Sequence, residues 1–317
     1  MTTRRTARTT AKSAEDKAAA RRALAEQLHA SITDQVAALV DSDAWRAYLD
    51  HMAAFHSYSF NNLCLIMAQR PTATQVAGFR AWQKLGRQVR KGEKAIRIYG
   101  YSTRTVTDTD PDTGDESTRK VPTFPILSVF DQGQTDPIEG HPQPEPIAHR
   151  LTGDDPAAIY DRTAAVMTAR GWTVTREIID GETNGYTTTD GSRRIVVDAR
   201  LAPAQAAKTM LHEAAHALMH AADTLTAEDR RDLHRGRMEV EAESVAYVLA
   251  GILGLDTAAY SVGYVAGWAN GDTTAIADTA RAVLATVHEL ADALDPTETK
   301  TADAAVTDTD AAETAAA

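Results

Sequence analysis

Cysteine is almost absent: Cys64 is the only one in 317 residues. One thiol excludes an intramolecular disulfide and a cysteine-built metal cluster, and it fits a reducing compartment. Long apolar runs are missing as well. The stretch "MTTRRTARTTAKSAEDKAAARR" has no apolar core segment, and "SVAYVLAGILGL" is too short to cross a bilayer. The sequence therefore predicts a cytoplasmic protein with no membrane partner. An overall positive charge is lacking too: the formal net charge of −11 argues against a protein that coats nucleic acid with its whole surface. What is present is ordinary globular composition, 43% hydrophobic and 24% charged, in a length that suggests two domains.

The acidic total hides a local reversal. Between positions 70 and 97, Arg70, Arg80, Lys84, Arg87, Arg90, Lys91, Lys94 and Arg97 stand against Glu93 alone, a local charge of +7. Apolar periodicity predicts an α+β architecture in two parts. Residues 1–22 read as a disordered basic tail and 23–135 as a helical lobe with a small sheet. Residues 136–155 read as a linker rich in proline and glycine, 156–294 as a second α+β domain, and 295–317 as a disordered acidic tail.

In the first lobe one or two amphipathic helices are expected between Arg22 and Phe55, another in "YSFNNLCLIMAQRP", and a short one in "VAGFRAWQKLG". "RQVRKGEKAIRIYGY" reads as a β-hairpin about a Lys-Gly-Glu turn, and "FPILSVFD" adds a strand. The acidic stretch between them places Thr113 where a calcium loop needs glycine and Arg119 where it needs glutamate, so it reads as a solvated hairpin turn. In the second domain a helix precedes the strands "TVTREII", "GYTTT" and "RIVVDARL", and further helices follow.

The segment "LHEAAHALMH", Leu211 to His220, carries the chemistry. Pro203 suits the first turn of a helix, which projects His212, His216 and His220 into one arc of roughly 80°, opposite Ala207, Met210, Leu211, Ala214 and Leu218. His212 and His216, at i and i+4, can close on one zinc ion. Glu213 stands where it can take a proton from metal-bound water, as HExxH chemistry requires. A catalytic zinc needs a third protein ligand. Of Glu239, Glu241 and Glu243, projection puts the first and last on the face of Ala246 and Ala250, whose small side chains permit close approach, and Glu241 on the opposite face. Glu239 is therefore the expected ligand and Glu243 the expected acceptor for the free N–H of a ligating histidine. His220, two turns from His212, reads as packing or support.

These residues resemble a known family. "YSFNNLCLIMAQRPTATQVAGFRAWQKLGRQVRKGEKAIRIYGY", closing with "FDQGQT", is similar to the N-terminal single-stranded-DNA-binding domain of ArdC-type antirestriction proteins. "LHEAAHALMH" followed by "EVEAESVAYVLA" is similar to their zinc metallopeptidase half, related to the ImmA/IrrE peptidases. The resemblance covers most of residues 25–270. It implies a zincin-like α+β metallopeptidase domain, a zinc ion on His212, His216 and Glu239, and an origin in a plasmid or other mobile element. Its motifs fall on Tyr58 and Asn62, and on Trp82, Leu85, Gly86, Arg87, Val89 and Gly92.

Single strands are held by cations that follow the phosphates and by aromatic rings on which bases stack. Arg80, Lys84, Arg87, Arg90, Lys91, Lys94 and Arg97 supply the first requirement; Phe79, Trp82, Tyr99 and Tyr101 interleave with them, and because Phe79 and Trp82 also suit a core, Tyr99 and Tyr101, on a strand beside basic positions, are the better stacking candidates. Tyr58 and Asn62 join this expected nucleic-acid set through the family motif. The function expected is single-stranded-DNA binding joined to a zinc peptidase that cleaves a protein partner near DNA. "RIVVDARL" is expected to take an extended peptide by edge addition, with Tyr260 or Tyr264 as oxyanion candidates. The alternative is a non-enzymatic DNA-protecting module in which zinc only stabilises the fold.

Overall fold

The structure, a computed structural model, describes residues 14–109, 116–141, 155, 158–221, 235–255 and 272–294. Three helices open it: α1 (Ala14–Ala38), α2 (Ser42–Phe55) and α3 (Phe60–Gln69). α1 begins inside the stretch expected to be a disordered tail, because "AEDKAAARRALAEQ" is built from strong helix formers. The Asp41 side chain caps α2 by accepting from the N–H groups of Asp43 and Ala44, and Ser59 caps α3.

There follow β1 (Val76–Gly78), α4 (Phe79–Lys84), β2 (Arg87–Val89), β3 (Ile96–Tyr99), β4 (Ser102–Thr109), β5 (Glu116–Thr123), β6 (Ile126–Asp131) and β7 (Thr135–Pro137). The hairpin expected from β2 and β3 does not form. β2 pairs with β7, and β3 pairs with β6, both antiparallel. The two strands part because they bury different side chains: Val89 joins Ala77 and Trp82 in a small satellite cluster, while Ile96 and Ile98 enter the main core. β4 and β5 make a separate hairpin flanking the acidic stretch, whose residues 110–115 lie outside the described ones.

The first sheet has the order β1–β6–β3, so β3 is an edge. α3 answers that edge with two amides. Asn62 donates to Tyr99 O at 2.8 Å and accepts from Tyr99 N–H at 2.9 Å; Gln69, two turns on, does the same for Arg97 at 2.8 and 2.9 Å.

The second half contains α5 (Ile159–Ala169), β8 (Thr173–Glu177), β9 (Gly185–Thr187), β10 (Arg194–Asp198), α6 (Pro203–Met219), α7 (Arg235–Ile252) and α8 (Thr273–Leu294). β10 runs parallel to β8 and antiparallel to β9 in the order β8–β10–β9. It is the central strand, which rules out the edge addition expected there. Ile195, Val196 and Val197 are all buried, the continuous β-branched run of a strand covered on both faces. The linker expected at 136–155 is described only at 136–141 and 155, and the expected acidic tail lies outside the described residues.

One continuous apolar core runs through both halves. α2 lies against α7, where the Trp45 indole N–H donates to Ser244 Oγ at 3.1 Å and the Tyr247 hydroxyl donates to Asp50. The Tyr48 hydroxyl reaches Ala280 O on α8 at 3.4 Å, and the Arg281 guanidinium lies 4.8 Å from the centre of the Phe60 ring. No helix among the described residues is long and apolar enough to cross a membrane.

Candidate metal centre and nucleic-acid face

Ala207, Met210, Leu211 and Ala214 are buried and seat α6 in the core. The histidines follow one another along the helix. His212 Nε2 lies 3.0 Å from His216 Nε2, and His216 Nδ1 lies 3.0 Å from His220 Nδ1. From α7, Glu239 brings Oε2 to 3.6 Å from His212 Nε2 and 3.7 Å from His216 Nε2. Donors about 2.0–2.1 Å from a tetrahedral ion stand about 3.4 Å apart. The three separations bracket that value, and the donor atoms of His212, His216 and Glu239 all lie within 4.8 Å of one another. The donor set therefore fits a cation.

Electrostatics agree with this geometry. Burial works against a charge on His212, but the carboxylates of Glu239 and Glu243 outweigh it and raise its pKa to about 9. The two histidines hold Glu239 well below the usual carboxylate range. Glu243 Oε2 lies 3.3 Å from His212 Nδ1, off the line of a full hydrogen bond, and its other oxygen takes Lys208 Nζ at 2.9 Å.

Glu213 is buried, and its Oε2 accepts from Thr187 Oγ1 on β9 at 2.9 Å. Burial pushes its pKa up, while His212 and His216 pull against that rise. Gly185 makes the close approach of β9 possible. A Cβ there would sit 2.7 Å from Thr209 Cγ2, 2.9 Å from Val196 O and 3.2 Å from Glu213 Cγ. A carboxylate with raised proton affinity beside three convergent donors has the attributes of a general base.

Residues 21–130 match the family described as the N-terminal domain of anti-restriction factor ArdC, and residues 168–256 match a peptidase family described as the IrrE N-terminal-like domain. The chain is ArdC-like. Among solved structures, the Mn(II)-bound antirestriction ArdC protein from R388 plasmid is similar at 20% identity, over 83% of this chain and 96% of that one, with a TM-score of 0.51. The metal-free structure of that protein is similar at 24% identity, over 75% of this chain and 85% of that one, with a TM-score of 0.47. No curated protein matches. The ArdC-like chain thus has the α+β fold expected.

Within the ArdC N-terminal region the expected nucleic-acid residues divide. Trp82 is fully buried and its indole N–H donates to Phe130 O at 2.7 Å, so it is a core residue whose ring no base can reach. Asn62 is buried with its amide committed to β3, and the Tyr58 hydroxyl is bonded to Val76 O at 3.2 Å. Arg87 bonds Thr135 Oγ1 at 2.7 Å, and Arg90 pairs with Glu93 at 2.9 Å and Asp136 at 3.3 Å. Asp131 likewise meets Arg70 at 3.1 Å. The local charge counted along the sequence is therefore partly cancelled by acids from beyond it. Arg80, Lys84, Lys91, Lys94 and Arg97 are exposed, Arg97 with its guanidinium on Ser128 Oγ, and Tyr99 is half-buried. Tyr260 and Tyr264 lie outside the described residues.

On the buried side of the site, His220, expected as packing or support, leads to Glu241, a partner that sequence reasoning missed. His220 Nε2 lies 2.9 Å from Glu241 Oε2, and Glu241 Oε1 accepts from Arg237 Nε at 2.8 Å and Thr279 Oγ1 at 3.2 Å. With His216 Nε2 facing an ion, its Nδ1–H donates to His220 Nδ1, and His220 Nε2–H then donates to Glu241, which fixes the tautomers of both rings. Projection correctly turns Glu241 away from the donor set, but it has no way to know that His220 leads back to it. Glycine at position 185 in a short strand was the available signal for the β9 approach.

Proposed function

We propose that this ArdC-like chain is a cytoplasmic antirestriction protein of a plasmid or other mobile element, with two joined activities. Residues 23–135 bind single-stranded DNA, and residues 156–294 form a zinc-dependent metallopeptidase that cleaves a protein partner near DNA. The observation that carries this reading is the convergence of His212, His216 and Glu239 with buried Glu213 beside them. Two imidazoles and one carboxylate suit zinc with a position left for substrate or water. The Mn(II) named for the R388 protein fits the same nitrogen and oxygen donors.

When bound, the ion supplies Lewis-acid polarisation of the scissile carbonyl and of water. Glu213 takes a proton at its carboxylate and returns it to the leaving amine, while Thr187 keeps that carboxylate in place. β9 is the sheet edge beside α6 and offers an extended peptide backbone hydrogen bonds. The alternative, a fold-stabilising zinc without turnover, has less support. Closed structural sites use four protein donors, and three converge among the described residues.

The test uses the full chain. It should carry about one zinc, and Glu213→Gln should keep the metal, trap a protein partner and fail to cut it where the wild type cuts. A wild type that leaves every trapped protein intact would establish the non-enzymatic alternative.

A further inference from the structure

A cleft of about 780 Å³ opens in the first half where α1, the start of α3 and the β3–β4 turn meet, with His288 of α8 reaching it from the second half. Its volume is that of sites that enclose a small organic ligand. Tyr58, Tyr99, Tyr101 and Phe124 line it, with Asn61 and His288 among its polar groups. Tyr101 and Phe124 are 66% and 64% exposed, which is unusual for large apolar side chains, and their rings meet edge to face at 6.0 Å. The two rings meet each other and are open to contact from outside among the described residues.

The chemistry of the lining selects among ligands. Among the described residues it contains no carboxylate and no lysine or arginine, in a chain with 44 acidic residues, so it suits a flat neutral group and does not repel an attached anion. The Asn61 side chain is exposed and has no hydrogen-bond partner among the described residues, which leaves both a donor and an acceptor for the edge of a ring. Arg97 stands two residues before Tyr99 on the same face of β3, about 6.6 Å along the strand, exposed and with its guanidinium on Ser128 Oγ. A neutral aromatic ring with polar edges, attached to a polyanion, is an unstacked nucleobase. Paired bases within a duplex present no open ring face.

We propose that this cleft takes an unstacked base of a single strand, stacked on the Tyr101–Phe124 pair, with Asn61 at the base edge and Arg97 on the neighbouring phosphate. The inference rests on the single-strand reading above and gives it a location. It removes Trp82, which is buried, keeps Tyr101, a stacking candidate already in the sequence, and adds Phe124 beside it. Because an amide can present either its donor or its acceptor, the site has little preference among bases.

The experiment titrates the full chain with a fluorescein-labelled oligothymidylate of about 15 nucleotides, and with an abasic oligomer of the same length. Tyr101→Ala with Phe124→Ala should weaken oligothymidylate binding about tenfold or more at every salt concentration, leave the salt slope unchanged, and leave abasic binding unchanged. Both side chains are exposed, so the unfolding midpoint should match the wild type, which separates lost stacking from lost structure. If wild type and double variant bind oligothymidylate equally, the cleft is not the base site, although the lobe still binds single strands. If the wild type binds neither oligomer, the single-strand reading itself fails and the cleft proposal falls with it.

Discussion

Replacing Trp45 by alanine should loosen the half of the molecule in which Trp45 does not reside. Trp45 is fully buried on α2, and its indole N–H bonds Ser244 on α7, the helix that carries Glu239. Removing a buried tryptophan costs about 3–5 kcal/mol, and leaving the buried Ser244 hydroxyl without its donor adds about 1 kcal/mol. Even the low end of that sum, about 4 kcal/mol, is a large part of the roughly 5–15 kcal/mol that holds a protein folded. It multiplies the population of the open state about a thousandfold. Hydrogen exchange followed by mass spectrometry on the full chain reads this directly. Amides in α3 and in β10, Arg194–Asp198, should both accelerate about a thousandfold where exchange passes through global opening. Trp45→Phe, which keeps most of the ring, should give a much smaller change in both. If α3 accelerates while β10 keeps its wild-type rate, the halves open independently and the shared core does not couple them.

Glu239→Ala should abolish zinc retention, whereas Glu241→Ala should keep the metal with affinity lowered about 10–100-fold in a chelator competition, because it frees His220 and through it His216; equal losses would overturn this separation of roles. Gly185→Ala should cost about 1–3 kcal/mol in thermal unfolding, since its Cβ would press on Thr209 and on the backbone of Val196. An unchanged midpoint would mean that β9 is free to draw back from α6. Lys91→Glu with Lys94→Glu should flatten the log–log salt slope of single-strand binding by about 1.4 if both touch phosphate, and adding Arg90→Glu should change it little, because Arg90 is already engaged by Glu93 and Asp136. A further flattening from Arg90 would show that its ion pairs open for DNA.

What the sequence made legible was whatever one element carries alone. Pro203 at the start of α6 and the spacing of His212 from His216 are each written within a few neighbouring residues. Helical projection even separated Glu239 from Glu241, because both sit on one continuous helix. The misreadings share a different cause. β2 and β3 look like a hairpin until β7 and β6, from much later in the chain, claim them. Trp82 alternates with cations along the chain, yet Phe130 and Val89 close over it in space. The basic run reads as unopposed because Asp131 and Asp136 lie outside its window. Each of these depends on which distant segment arrives as a neighbour, and no local pattern states that.

The two amides that α3 offers to β3 have a consequence for how this protein behaves at high concentration. An edge strand normally presents a row of unanswered N–H and C=O groups, and a strand from another molecule can dock on it and extend the sheet. At Arg97 and Tyr99 those groups are already satisfied by Gln69 and Asn62, whose side chains imitate a peptide bond without offering a new edge of their own. Propagation stops there. A solution of this protein is thereby protected against sheet-on-sheet polymerisation along β3 by two side chains of one helix, with no need for the charged or proline-blocked edge that β proteins more often use.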